Sequence, residues 1–338
     1  MSDILNAWGE RWNKRARARV AYDPRDEELS PPPIPFGVPA LDSMLGGGLP
    51  RGKLTILYGE PSSGKTLLSL LAVAAAQRGG GQAMFFDIER CWDASWAALV
   101  GVDTSQERLL VVRPRSLEQA FDMAIDAMEN TKPDILVMDS ISAMVPADML
   151  SANMEDKDFR GLAARKMTEG VAKSIAHNES TALVVINQLR MDMGISFGSA
   201  ERLPGGKGLR FYAAAMLRCR RGKWLTDRGG EVEEVDFTTV SGKEARRIGF
   251  VLRVRLEKSK VSSATWQEAE LDFLFSGAVD SVGSTAHLAI QRGVIQQSGS
   301  YFLLPDGTRA HGFDALKSTL RGSPDLYERV VTLLKEVC

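Results

Sequence analysis

Gly59-Glu60-Pro61-Ser62-Ser63-Gly64-Lys65-Thr66 fits the pattern G-x-x-x-x-G-K-[ST], and its reading decides the fold. The lead-in Leu54-Thr55-Ile56-Leu57-Tyr58 is apolar, β-branched and aromatic, and predicts a buried strand. The run-out Leu67-Leu68-Ser69-Leu70-Leu71-Ala72-Val73-Ala74-Ala75-Ala76 predicts a helix that is apolar nearly all round. At average composition the bare pattern arises by chance in about one chain of this length in a hundred. The strand before it and the helix after it are what make it a phosphate-binding loop. Gly59 and Gly64 let the backbone of the loop Glu60, Pro61, Ser62 and Ser63 curl, so that its N–H groups, which Pro61 lacks, can face phosphate oxygens. The helix beginning near Lys65 adds the positive end of its dipole. Lys65 is expected to reach the β and γ phosphates of a nucleoside triphosphate, and Thr66 to offer its hydroxyl to Mg²⁺.

A chain of 338 residues holds one large domain and a small one. With 44 % hydrophobic and 25 % charged residues, the composition is that of an ordinary globular protein. No apolar run approaches a membrane span and the N-terminus lacks a signal-peptide pattern, so no membrane partner is expected. Cys91, Cys219 and Cys338 have no metal-ligand spacing and read as reduced thiols of a cytoplasmic protein. The net charge of −1 announces no global nucleic-acid affinity, but basic residues cluster locally. Arg202, Lys207, Arg210, Arg218, Arg220, Arg221 and Lys223 form one run without an acid; Lys243, Arg246, Arg247, Arg253, Arg255, Lys258 and Lys260 form a second, against only Glu244 and Glu257. Two such runs around a glycine-rich loop point to a polyanion-binding face.

Along the chain, residues 3–19 read as a short amphipathic helix with Ile4, Leu5, Trp8 and Trp12 on one stripe. Residues 23–35, with Ser30-Pro31-Pro32-Pro33, read as a stiff linker. We therefore divide the chain into an arm (1–35), an α/β core (36–276) and a small C-terminal domain (277–338). Strands are expected near 53–58, 82–87, 108–112, 134–138 and 181–186, forming a mainly parallel sheet flanked by helices. Later strands near 210–219, 247–257 and 268–275 extend it in antiparallel fashion. The C-terminal domain is expected to hold short helices around one strand at Tyr301 to Leu304.

Three strand ends complete the predicted site. Asp134-Ile135-Leu136-Val137-Met138-Asp139 ends in a carboxylate placed to hold Mg²⁺ through water. Glu89, just beyond Ala83 to Asp87, is placed either to orient and deprotonate the attacking water or to serve as an ordinary loop acid. Asn187-Gln188 closes another strand on the edge where ligands of parallel sheets bind. An amide there can follow the γ-phosphate and report to the long loop 190–208.

These residues resemble the bacterial RecA recombinases and their phage relatives over most of 37–335. Gly161-Leu162-Ala163-Ala164-Arg165, Ile186-Asn187-Gln188-Leu189-Arg190-Met191, Phe197-Gly198, Gly205-Gly206 and Leu209-Arg210-Phe211-Tyr212-Ala213 carry the likeness. The resemblance implies an ATP-hydrolysing, DNA-dependent recombinase: a homo-oligomeric helical filament on single-stranded DNA that pairs it with double-stranded DNA. It implies Glu89 as the catalytic carboxylate and Gln188 as the coupling residue. Asp93 and Trp96 then lie against adenine, and Lys258 and Lys260 act on the neighbouring subunit's ATP. It further implies DNA loops at 148–160 and 190–208, with Arg165, Arg190, Phe197, Gly198, Arg202, Gly205, Gly206, Lys207 and Arg210 on the DNA side. The arm would dock on the adjacent protomer. Mediator or single-strand-binding proteins are further partners of such a filament, in a bacterial or phage-infected cell. The first loop is about one residue longer than usual, Lys207 and Ser196 depart from the family pattern, and the chain ends without an acidic tail. The missing tail, with the compact proline-rich linker, fits a phage-encoded or divergent member. A ring-forming motor and a non-catalytic accessory paralogue are the competing readings; the arm speaks against the first, and Lys65, Thr66, Glu89, Asp139, Gln188, Lys258 and Lys260 together against the second.

Overall fold

The computed structural model describes the chain except residues 1, 18, 152–160, 192–200, 228–230, 233–245, 263–266, 278 and 338. At 2–3, 190–191, 201–202, 206–207 and 231–232 it describes the backbone alone. Strands β1 (Leu54–Gly59), β2 (Ala83–Asp87), β3 (Leu109–Val112), β4 (Ile135–Asp139) and β5 (Ala182–Gln188) lie in the first two thirds of the chain. A short hairpin, β6 (Arg190–Met191) and β7 (Glu201–Arg202), precedes β8 (Ala215–Thr226), β9 (Glu231–Val232), β10 (Arg247–Ser259), β11 (Glu268–Leu274) and β12 (Val279–Asp280). The large sheet has the order β12-β11-β10-β8-β1-β5-β4-β2-β3, with β9 paired to β8. From β8 to β3 every pairing is parallel; from β8 outward through β12 every pairing is antiparallel. This is the α/β architecture the sequence predicts.

The parallel strands are continuously apolar because helices cover both faces. Leu57, Val137, Val184 and Ile186 enter one core cluster, while Ile56, Tyr58, Met138 and Val185, one residue out of phase, enter the other. Helix α1 (Ser2–Ala16) is the arm, and α2 (Pro39–Met44) leads into the core. On the first face lies α3 (Lys65–Arg78), whose Ala72, Val73, Ala74, Ala75 and Ala76 are buried, with short side chains that admit close packing on the strands. Next comes α4 (Ala94–Leu99). On the second face lie α5 (Leu117–Asp126), α7 (Leu162–Ala176) and α8 (Gly206–Tyr212), following the short α6 (Ala147–Ser151). Burying one such core leucine or phenylalanine contributes about 1.5–3 kcal/mol.

Four expectations need correction. Leu209 to Tyr212 are helical, so the strand expected from residue 210 begins at Ala215. Gly205, at φ +92°, caps the helix start, where the apolar and aromatic run alone suggested strand. Loop 190–208 is not bare, since its described ends pair as β6 and β7. The proline-rich linker is anchored at its end: Ile34 bridges Leu49 and is buried in the core. Finally, the C-terminal region has three strands, β13 (Gln296–Ser298), β14 (Tyr301–Leu303) and β15 (Arg309–His311), rather than one. Their polar outer residues hide the period, because only Phe302 and Ala310 turn inward. Helices α9 (Val282–Gln291), α10 (Phe313–Gly322) and α11 (Pro324–Val337) pack on them around a third cluster.

Candidate active site

Reading across the sheet, Gly59 pairs with Gln188 and Asp139 with Asp87, while β5 runs about two residues beyond the level of Asp139 to reach Gln188. Strand β5 lies between the loop-bearing β1 and the Asp139-bearing β4. Asp139 therefore meets the loop across an intervening strand, and Gln188 occupies the gap. Thr66 Oγ1 donates to Asp139 Oδ2 at 2.7 Å, spanning that gap.

The loop is shaped by contact. A Cβ on Gly59 would lie 2.2 Å from the Cys219 carbonyl oxygen. Gly64 sits at φ +88°, where a Cβ would also meet Leu252 Cδ1 at 2.7 Å. Ser62 holds φ +58°, a left-handed conformation costing a non-glycine residue about 1–3 kcal/mol. Lys65 is buried and donates to the carbonyls of Glu60 at 2.6 Å and Gly59 at 3.2 Å. Burial is the largest influence on its ammonium and lowers its pKa; Cys219, Asp139, Glu89 and Glu60 oppose that shift. Burial pushes the Asp139 carboxyl up to about 6, against the Thr66 hydrogen bond. A paired hydroxyl and carboxylate of this kind is a hard-oxygen donor set that suits Mg²⁺, which takes one or two protein oxygens beside substrate phosphates.

Glu89 Oε1 accepts from Gln188 Nε2 at 2.7 Å and from the Ser140 hydroxyl. The predicted coupling amide thus donates directly to the predicted catalytic carboxylate, sharing its Oε1 with Ser140. Asn187, next to Gln188, donates from Nδ2 to the Pro204 carbonyl at 2.8 Å, which ties this strand end to the far side of the long loop. A cavity of about 420 Å³ is lined by Ser62, Lys65, Thr66, Glu89, Asp139 and Gln188 together with Phe250. A smaller one of about 60 Å³ brings Asp93 and Trp96 beside Thr66, Glu89 and Asp139. Asp93 caps α4, its Oδ1 accepting from the N–H groups of Ser95 and Trp96. The Trp96 ring meets Phe273 edge-on at 5.5 Å.

Lys258 and Lys260 sit elsewhere. Lys258 Nζ donates to the carbonyls of Arg210 and Phe211, and Lys260 Nζ to that of Phe211 at 2.9 Å. Both hold the last turn of α8, where cations are favoured. Burial, then the like charges of Lys260 and Arg210, lower the pKa of Lys258. Arg165 on the first turn of α7 and Arg210 on α8 are exposed. Arg190 and Arg202 face each other in the β6–β7 ladder; Gly206 and Lys207 open α8. Phe197 and Gly198 lie outside the described residues. Gly205 is buried and sits at φ +92°, a conformation that favours glycine, so the turn into α8 calls for it independently of any ligand.

Ser140 and Phe250 escaped the sequence reading. Ser140 follows Asp139 directly, and a hydroxyl beside a strand-end carboxylate was the available signal. Phe250 carries no local signal, since β10 reaches the loop only through sheet pairing.

A phosphate-binding loop on a central parallel strand, with carboxylates and an amide on the adjoining strand ends, defines a P-loop nucleotide-binding core. Residues 25–280 match the family model of the RecA N-terminal domain. The chain is 38 % identical over 307 residues to Protein RecA of Acidothermus cellulolyticus, spanning 90 % of this chain and 83 % of the relative. It is 38 % identical over 306 residues to Protein RecA of Frankia casuarinae, with the same shares. With Protein RecA of Kineococcus radiotolerans the identity is 36 % over 316 residues, 92 % of this chain and 85 % of the relative. The chain belongs to the RecA family. Membership places it among proteins of DNA recombination and repair that bind ATP and DNA.

Proposed function

We propose that this protein is a DNA-dependent ATPase that assembles as a helical filament on single-stranded DNA and catalyses homologous pairing and strand exchange. Lys65 binds the β and γ phosphates, and the loop N–H groups orient them. Thr66, and Asp139 through water, would hold Mg²⁺, which would draw charge from the phosphate oxygens. Glu89 takes a proton from the attacking water, and Ser140 and Gln188 fix the carboxylate that does so. Gln188 exchanges its bond to Glu89 for one to the γ-phosphate, and that change passes to the DNA loop through the adjoining Asn187–Pro204 bond. The shared Glu89 oxygen is the observation that carries this reading, because it joins hydrolysis to the loop in a single contact.

Lys258 and Lys260 act on the nucleotide of the neighbouring protomer; among the described residues, neither lines the nucleotide cavity of its own chain. The arm docks on that same neighbour. Its Ile4, Leu5, Trp8 and Trp12 are exposed, with Trp8 52 % accessible, which leaves the stripe for another surface. An arm-to-core contact that does not close a ring propagates as a helix. Strand exchange between circular single-stranded and linear double-stranded DNA, with electron microscopy of the same mixture, tests the proposal. Joint molecules and filaments that require ATP are expected. Rings, or ATP hydrolysis without joint molecules, would overturn it.

A further inference from the structure

The β8–β10 pair contains an aromatic path from its basic end to the nucleotide cavity. Two guanidinium groups stand over the Trp224 ring: Arg221 Cζ lies 4.6 Å and Arg247 Cζ 4.4 Å from its centroid. Trp224 pairs across the strands with Phe250, edge-on at 6.2 Å. Phe250 lines the cavity in front of Lys65, Thr66 and Glu89, and lies 5.3 Å from Phe273, which in turn supports Trp96.

This cluster depends on irregular register. Arg221 and Trp224 are three residues apart and would fall on opposite faces of a regular strand. Arg221 pairs with Leu252 and Trp224 with Phe250, so Gly222 and Lys223 together face Val251 alone. Arg247 and Phe250 are likewise three apart, and a second shift, between Arg247 and Gly249, re-phases them. Bulges of this kind re-aim side chains and concentrate next to functional sites. Here two of them gather both arginines on the ring that touches Phe250. Arg221 also lines a cavity of about 190 Å³ against the outer side of the loop at Glu60 to Ser63.

We propose that Trp224 is a positioning residue for the nucleotide pocket, and that phosphates of a bound polynucleotide at Arg221 and Arg247 reset it. The proposal rests on the ATP- and DNA-binding reading above and adds a second route to the one through Gln188. A guanidinium that turns to a phosphate gives up its cation–π contact, worth about 0.5–2 kcal/mol. The indole then loses the clamp that fixes its edge against Phe250, and the cavity wall relaxes. By reciprocity, nucleotide binding tightens or loosens the arginine pair by the same factor.

The test uses the full chain and measures the affinity of a fluorescent ATP analogue with Mg²⁺, with and without oligothymidylate. The ratio of the two affinities is the coupling. Trp224→Leu and Arg247→Gln are each expected to reduce that ratio about threefold or more, the range seen for residues that transmit coupling. Trp224→Phe, which keeps a ring for both contacts, restores most of it. Oligothymidylate also shifts the tryptophan emission of the wild type more than that of Trp224→Phe. An unchanged ratio in both Trp224→Leu and Arg247→Gln overturns the proposal; if Trp224→Leu does not fold, Arg247→Gln decides alone. A wild type that binds both ligands without coupling sinks this inference and leaves the functional reading standing. A wild type that binds neither removes both.

Discussion

The carboxyl edge of the parallel strands and the β8–β10 ribbon handle charge in opposite ways. At the edge, polar groups engage one another over short distances: Thr66 with Asp139, Gln188 and Ser140 with Glu89. Along the ribbon, like charges stand across from each other, Arg220 opposite Arg253 and Arg218 opposite Arg255. Acids relieve part of this, since Arg253 meets Glu270 at 2.7 Å and Arg218 meets Glu257 at 3.6 Å. Directly opposed like charges destabilise an isolated strand pair. The edge is thus a closed network fitted to a small ligand whose charge enters at a few atoms. The ribbon is a ladder of positive charge whose repulsion a long polyanion relieves.

The sharpest way to break this contrast is at the edge. Lys65→Ala is expected to lower DNA-stimulated ATP turnover about a thousandfold, as loss of a buried group that stabilises transition-state charge does. DNA-stimulated hydrolysis that survives in a steady-state assay would remove Lys65 from the site. Gln188→Ala leaves ATP binding close to wild type but cuts the stimulation by DNA about tenfold, a typical coupling loss. Normal stimulation would deny Gln188 its place between Glu89 and the loop.

The protonation of Asp139 sharpens the edge further. Its carboxyl titrates near 6 because of burial, so the neutral form prevails at pH 5 and the ionised form at pH 7. The raised value means the folded chain holds this proton more tightly than the unfolded one. Its contribution to stability is full at low pH and is lost as pH rises through about 6. Binding of Mg²⁺ requires the ionised form, so Mg²⁺-dependent nucleotide affinity falls about tenfold for one pH unit below that value. Equal affinity by calorimetry at pH 5 and pH 7 would show that Asp139 is not the titrating partner of the cation.

The ribbon responds more softly. Arg220→Ser is expected to weaken single-stranded DNA binding only a few fold at moderate salt, while reducing the salt slope of log K by about 0.7. A slope unchanged in fluorescence titrations would take Arg220 off the polyanion face.

Much of the edge was legible because each residue there follows a strand the chain spells out locally. Gly59 to Thr66, Asp139, Glu89 and Gln188 all sit at the ends of continuous apolar runs. In a parallel sheet those ends converge whatever the strand order. The ribbon was legible in charge and illegible in geometry. Gly222 and Gly249 hint at irregular strand, but which residues a bulge would bring together depends on the partner strand's register. The start of β8 is obscure for a related reason: Leu209 to Tyr212 suits either strand or helix locally, and as part of α8 it places Leu209 in the second core cluster beside Met167 of α7.

By itself the sequence determined a phosphate-binding loop, a mainly parallel α/β core, two basic runs and the residues that carry the family resemblance. These are local facts of composition and period. Only the tertiary structure decided that β5 stands between the loop and Asp139, that Gln188 and Ser140 share one Glu89 oxygen, and that Phe250 lines the nucleotide cavity. Each of these joins residues roughly 50 to 200 positions apart in the chain. Contacts at such separation are selected by how strands order and helices pack, and no local pattern encodes that choice.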